Sequence, residues 1–151
     1  MMSEYYETTA DKFVFKVKKG VLYSRDEVWV KPEADGSIRV GVTDFAQRRG
    51  GDIVFAEAQP TGTKVVSGGL LGSYETVKLV QDILSPIDGQ ITEVNPTIDS
   101  KPEVINRDPY GEGWVAVIKP ASGLSGLLSA EDYFELMKVK VAEELKKIKG
   151  L

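Results

Sequence analysis

Lys78 lies within Gly72-Ser73-Tyr74-Glu75-Thr76-Val77-Lys78-Leu79-Val80-Gln81-Asp82, and neither glycine nor proline interrupts the chain between Ser73 and Ser85. Strand-forming Tyr74, Thr76 and Val77 precede the lysine, and Leu79, Val80 and Ile83 follow it. Ser85-Pro86-Ile87-Asp88-Gly89 is then a strong turn signal, because proline presets one dihedral and glycine accepts a positive one. A run that folds back midway presents the Lys78 amine at the tip of a β-hairpin. The plain alternative is an ordinary solvated lysine, since most lysines are exposed. The chain has no cysteine and no histidine. That excludes disulfides, thiol nucleophiles, Cys/His metal sites and the commonest general base. Any redox or acyl chemistry must therefore come from something attached to the chain.

Other chemical patterns are weaker. Gly111-x-Gly113 lacks the Gly-Lys-Ser/Thr of a phosphate loop and runs into a strand, not a helix. Asp99, Asp108 and Glu112 do not have calcium-loop spacing. Asp26, Glu27 and Asp82 form a carboxylate cluster if the fold brings them together, but no nucleophile or metal pattern accompanies them, so an unassisted enzyme is disfavoured.

The elements that position Lys78 follow from composition and patterning. A chain of 151 residues, 42% of them apolar, suits one globular core. Fifteen glycines and seven prolines imply many turns between short strands, hence a mostly β fold. The net charge of −4 gives no basic footprint for nucleic acid. No apolar run is long enough to span a bilayer, and the N-terminus does not read as a signal peptide, so a cytoplasmic protein is expected.

Residues 1–12 carry no motif and are expected to be loosely held. Phe15-Lys16-Val17-Lys18 alternates as an edge strand whose lysines discourage unwanted pairing. Val28-Trp29-Val30 and Ile38-Arg39-Val40-Gly41-Val42 make a hairpin through Asp35-Gly36. Thr43 to Arg49 is a short helix capped by Thr43 or Asp44 and ended by Gly50-Gly51. Ile53-Val54-Phe55 reads as a buried strand, Lys64-Val65-Val66 and Ile91 to Val94 as further strands, and Asn95 to Asp108 as a long polar loop. Val115 to Ile118 is the last strand. Tyr133, Met137, Val141, Leu145 and Ile148 then recur at helical spacing after a capping-box-like Ser129-Ala130-Glu131-Asp132, giving an amphipathic C-terminal helix.

Six collinear segments together resemble the glycine cleavage H-protein family over residues 23–137: Gly41-Val42-Thr43-Asp44-Phe45-Ala46-Gln47, Gly51-Asp52-Ile53-Val54-Phe55, Glu75-Thr76-Val77-Lys78, Ser85-Pro86-Ile87-Asp88-Gly89, Glu93-Val94-Asn95, and Asn106-Arg107-Asp108-Pro109-Tyr110-Gly111-Glu112-Gly113-Trp114. The resemblance implies a mostly β, barrel-sandwich hybrid fold with a short helix and a C-terminal amphipathic helix. It divides the chain into an N-terminal extension with an edge strand (1–22), a lipoyl-carrier β domain (23–128) and a helix packed on that domain (129–151). It implies a carrier, not a catalyst, with lipoic acid joined as an amide to Lys78 by a lipoate ligase or lipoyl transferase. Glu75 and Asp82 match family positions for recognition and the arm's pocket, and Asp26, Glu27 and Val28 fall at its cleft. An attached dithiolane accounts for the missing cysteines. Biotin carriers share the architecture but place methionine on both sides of their lysine, where this chain has Val77 and Leu79. An H-like protein that is never lipoylated would have no need for Glu75 and Lys78 in their family positions.

The departures concern the cargo. Between Tyr23 and Trp29, where the family reads His-Glu before tryptophan, this chain has Glu27-Val28. A valine cannot stabilise the ammonium of an aminomethyl-loaded arm. Glu27 reaches that place only if the strand slips by one residue, which turns every side chain to the other face. Leu79-Val80 is bulkier than the small pair usual after the lysine. These differences favour the lipoate-binding protein of the heterodisulfide-reductase-like sulfur-oxidation pathway, with dihydrolipoamide dehydrogenase and the reductase-like complex as partners. The alternative is the glycine cleavage H protein, serving glycine decarboxylase, aminomethyltransferase and the same dehydrogenase. On the first reading aminomethyl transfer is poor unless Val28→Glu is introduced.

Overall fold

Short apolar runs separated by glycine and proline fold into antiparallel strands wherever a turn can reverse the chain. The computed structural model describes residues 3–149, with side chains described through Lys147. In chain order the elements are β1 (Tyr5–Ala10), β2 (Phe13–Lys18), β3 (Leu22–Tyr23), β4 (Val28–Pro32), β5 (Ile38–Val42), α1 (Asp44–Gly50), β6 (Ile53–Ala58), β7 (Lys64–Val65), β8 (Leu70–Thr76), β9 (Val80–Leu84), β10 (Gly89–Val94), α2 (Thr97–Ser100), α3 (Val104–Arg107), β11 (Ala116–Pro120) and α4 (Ala130–Lys149).

A six-stranded sheet in the order β3-β4-β5-β11-β10-β7 faces a three-stranded sheet, β6-β8-β9, while β1 and β2 form a separate ribbon. Val28, Val30, Ile38 and Val40 of the larger sheet share one core with Leu71, Tyr74 and Ile83 of the smaller. A second core joins Phe15 and Val17 of β2, Trp29, Phe45 of α1, and Tyr133, Met137 and Val141 of α4. The fold is thus the expected mostly β barrel-sandwich hybrid with a short helix and a C-terminal helix.

Local chemistry explains the boundaries near the site. Thr43 caps α1 by accepting from the Ala46 amide at 3.2 Å, and Gly51 ends the helix at a φ of 86°. The β4–β5 turn closes through Gly36 at a φ of 88°, with Asp35 accepting from the Ser37 amide. Ser129 accepts from the Asp132 amide at 3.1 Å where α4 begins. Tyr133, Met137 and Val141 are buried as the helical spacing predicts; the Ile148 side chain lies outside the described residues.

Three expectations change. Residues 5–10 are not loosely held: β1 pairs along its whole length with β2. Tyr6 stacks on Phe134 with ring centroids 5.3 Å apart and donates to Glu131, which ties the ribbon to α4. The polar loop of 95–108 contains α2 and α3, and Ile98, Val104 and Ile105 enter the main core. Prolines at 96 and 102 break the segment into single turns too short to show periodicity. Finally, only Ile53 of Ile53-Val54-Phe55 is buried, because the pairing of β6 with β8 is irregular between Ile53 and Phe55 and leaves Val54 and Phe55 outside.

Candidate functional site

The hairpin of β8 and β9 turns through Val77-Lys78-Leu79. Buried Thr76 holds the turn: its hydroxyl accepts from the Lys78 and Leu79 amides at 3.2 Å each, and its own amide donates to the Leu79 carbonyl at 2.9 Å. A β-branched threonine thus finishes the strand and supplies the acceptor that the turn's amides lack. Lys78 is exposed, and among the described residues no carboxylate pairs with it. Its stem leans toward the end of α1, where a Cβ built on Gly51 would meet the Lys78 Cε at 3.9 Å. Glu75 is exposed three residues before the lysine, cross-strand from Val80. An exposed, unpaired amine on a pinned turn suits acylation.

The other candidate residues converge on one small cleft. Asp26, Glu27, Val28 and Asp82 all line it, together with Tyr74 and Arg49. Its volume is only about 20 Å³, room for a single water. Asp26 and Asp82 are exposed at its rim, whereas Glu27 and Val28 are buried.

Glu27 is not a spare carboxylate. It adopts a left-handed φ of 66° at the end of the β3–β4 turn, and its oxygens accept from Thr43 Oγ1 at 2.7 Å, from the Tyr133 hydroxyl and from Lys140 Nζ. These bonds join the turn to the cap of α1 and to α4. The strand does not slip: Tyr23 pairs with Trp29, and Val28 with Val42. Val28 is wholly buried in the main core, so Val28→Glu would bury a carboxylate among apolar side chains. That substitution is expected to destabilise the protein and not to restore a cargo contact.

The arginine beside the cleft and the α4 partners of Glu27 are not evident from the sequence. Arg49 lines it, stands 5.2 Å from the Phe45 ring centroid and pairs with no carboxylate among the described residues. Tyr133 and Lys140 lie seven residues apart on α4, two helical turns on one face, and that spacing is the signal that would have linked them. A lysine-rich helix end hid Lys140 among cations expected from the helix dipole alone.

Buried phenols surround the site. Burial pushes Tyr74 up to about 12 from the ordinary 10.0, with Arg49 pulling it down and Glu27 pushing it up by smaller amounts. Burial raises Tyr23, Tyr110 and Tyr133 in the same direction, with Glu27's charge adding to the effect at Tyr133. The unfolded chain loses phenolic protons near pH 10 while the folded chain retains them. Stability is therefore fully present below about pH 10 and falls as pH rises from there, by about 2 kcal/mol up to pH 12 through Tyr74 alone. Denaturation midpoints should be level from pH 7 to 9 and drop above 10. Ionisation of Tyr23, Tyr74, Tyr110 or Tyr133 near pH 10 without unfolding would contradict this.

The family model for the glycine cleavage H-protein matches residues 21–140. A glycine cleavage system H protein of Coprothermobacter proteolyticus is 47% identical over 120 residues, covering 78% of this chain and 94% of that protein. One of Chlorobium limicola is 49% identical over 119 residues, covering 76% and 92%. The crystal structure of a glycine cleavage system H protein from Mycobacterium marinum matches with a TM-score of 0.72 at 35% identity, covering 78% of this chain and 96% of that one. These likenesses favour the glycine-cleavage alternative and lend nothing to the sulfur-oxidation reading preferred from the sequence.

Proposed function

Because the chain belongs to the glycine cleavage H-protein family, whose members are carrier components and not catalysts, we propose that it is the lipoyl carrier of a glycine cleavage system, with lipoic acid amide-linked to Lys78. The observation that carries this reading is the lysine itself: exposed, without a carboxylate partner among the described residues, and held on a turn that Thr76 fixes. When bound, the lipoyl group supplies a dithiolane able to take up two electrons and the aminomethyl unit of glycine. Glycine decarboxylase, aminomethyltransferase and dihydrolipoamide dehydrogenase are then the partners, and a lipoate ligase or lipoyl transferase the modifying enzyme.

The chain's own residues divide the work. Thr76 fixes the backbone on which the amine is offered. Glu75, exposed beside it, marks the hairpin for the ligase. Phe55, Glu75 and Val80 lie across three neighbouring strands, all of them exposed, and leave a part-apolar face beside the lysine for a docking enzyme. Asp26 and Asp82 are the carboxylates at the cleft rim left to stabilise an ammonium, since Glu27 is already bonded. They take the place of the glutamate that Val28 cannot supply. Asp26→Asn with Asp82→Asn should lower aminomethyl transfer from glycine decarboxylase by about tenfold while Lys78 is lipoylated as before. Single-turnover transfer to the purified carrier, with lipoylation checked by mass, measures this. Undiminished transfer would remove these two residues from the mechanism; no transfer by the lipoylated natural protein would overturn the glycine-cleavage reading.

A further inference from the structure

A larger opening than the cleft lies on the other side of Arg49. It is a groove of about 280 Å³ whose apolar walls are Phe13 and Phe15 of β2, Phe45 of α1, and Val141 and Leu145 of α4, and Lys78 itself lines it. Phe15, Phe45 and Val141 are buried, with the Phe15 and Phe45 ring centroids 5.9 Å apart, while Phe13 stands 50% exposed at the mouth. Four of these five apolar residues lie outside the 21–140 stretch that the family model covers. Ribbon and helix end therefore add to this chain something the shared domain does not provide.

We propose that this groove is the resting place of the unloaded lipoyl arm, an inference that rests on the carrier reading of Lys78. Three observations select that occupant. The lysine's own side chain borders the groove, so a group on Nζ needs no partner to reach it. Amide formation removes the ammonium charge beside Arg48 and Arg49, which line the groove together with Asp11 and Glu144, and adds an apolar chain that the aromatic and aliphatic walls favour. The cleft around Asp26 and Asp82, at about 20 Å³, has no room for a dithiolane. Burial in the groove shields the unloaded ring from reductants.

The test uses the full chain lipoylated by purified lipoate ligase, with the increment on Lys78 verified by mass. Amide spectra of lipoylated and unlipoylated protein should differ at residues 10–15 and 141–145. Reduction of the ring by a water-soluble phosphine should be about fivefold faster in Phe13→Asp than in the natural protein, because the docked population falls. Val54→Asp, at a residue 59% exposed and outside the groove, should leave the rate unchanged. Phe13 is half exposed, so an unaltered melting temperature checks that its variant remains folded. Spectral changes confined to the hairpin tip or to Asp26 and Asp82, or equal reduction rates in all three proteins, would overturn the groove and leave the carrier reading standing. Failure of the ligase to modify Lys78 would overturn both.

Discussion

On the proposed carrier reading, Lys78→Arg is expected to abolish lipoylation and with it every transfer activity, while leaving the fold intact. Arginine keeps the charge and much of the stem, but its guanidinium is not a nucleophilic amine at neutral pH. Lys78 is exposed, and neither the hydrogen bonds of the turn nor the two cores include its side chain. Surface substitutions of this kind change stability by about 0.5 kcal/mol or less. The expected result is a complete loss of the lipoyl mass increment and of aminomethyl acceptance, with a melting temperature within about 2 °C of the natural protein. Residual transfer by the arginine variant would refute Lys78 as the attachment point.

Glu27→Ala should produce the largest change in stability. The carboxylate is buried, and its removal leaves the Tyr133 hydroxyl and Lys140 without their shared acceptor and deprives Thr43 Oγ1 of a partner. Breaking a buried charge pair is strongly destabilising because the remaining partner is left uncompensated. Lys140 is 27% exposed and recovers part of that loss by hydration, so the expected cost is about 3 kcal/mol. For a chain of this size that corresponds to a drop of about 9 °C in melting temperature. Glu27→Gln retains an acceptor but not the charge and should cost about half as much. Thermal melts of both variants test the ordering. Equal stability of all three proteins would show that the β3–β4 turn does not depend on this network.

The two substitutions separate the chain's carrier function from its architecture, and the separation bears on how the sequence is read. Lys78 was accessible to sequence reasoning because a hairpin tip is a local feature: strand formers on both sides and a turn cluster beyond. The α1 caps were equally local, and Thr43 and Gly51 take the places their chemistry predicts. Glu27 was not accessible in this way. Its partners come from α1 and α4, and Tyr133 is 106 residues away in sequence. A carboxylate at the family's cleft position reads as a ligand for cargo, yet its left-handed backbone and buried bonds make it a brace.

The N-terminal ribbon was hidden for a different reason. Residues 5–10 alternate only weakly in hydrophobicity, and the burial that secures them comes from aromatic contacts with α4, not from a continuous apolar face. The groove depends on this ribbon, so it too was invisible in the sequence. Likewise Ile98, Val104 and Ile105 reach the core from one-turn helices that give no periodic signal. Taken alone, Val28 in place of the family's glutamate favours a change of cargo and with it the sulfur-oxidation reading. Asp26 and Asp82 at the same cleft offer a carboxylate source that does not require that change.

The most direct test of the carrier claim is the intact mass of the protein purified from cells that lipoylate their other carriers, followed by fragmentation across Gly72 to Asp82. The account predicts a lipoyl increment localised to Lys78. An unmodified Lys78 in those cells would contradict it.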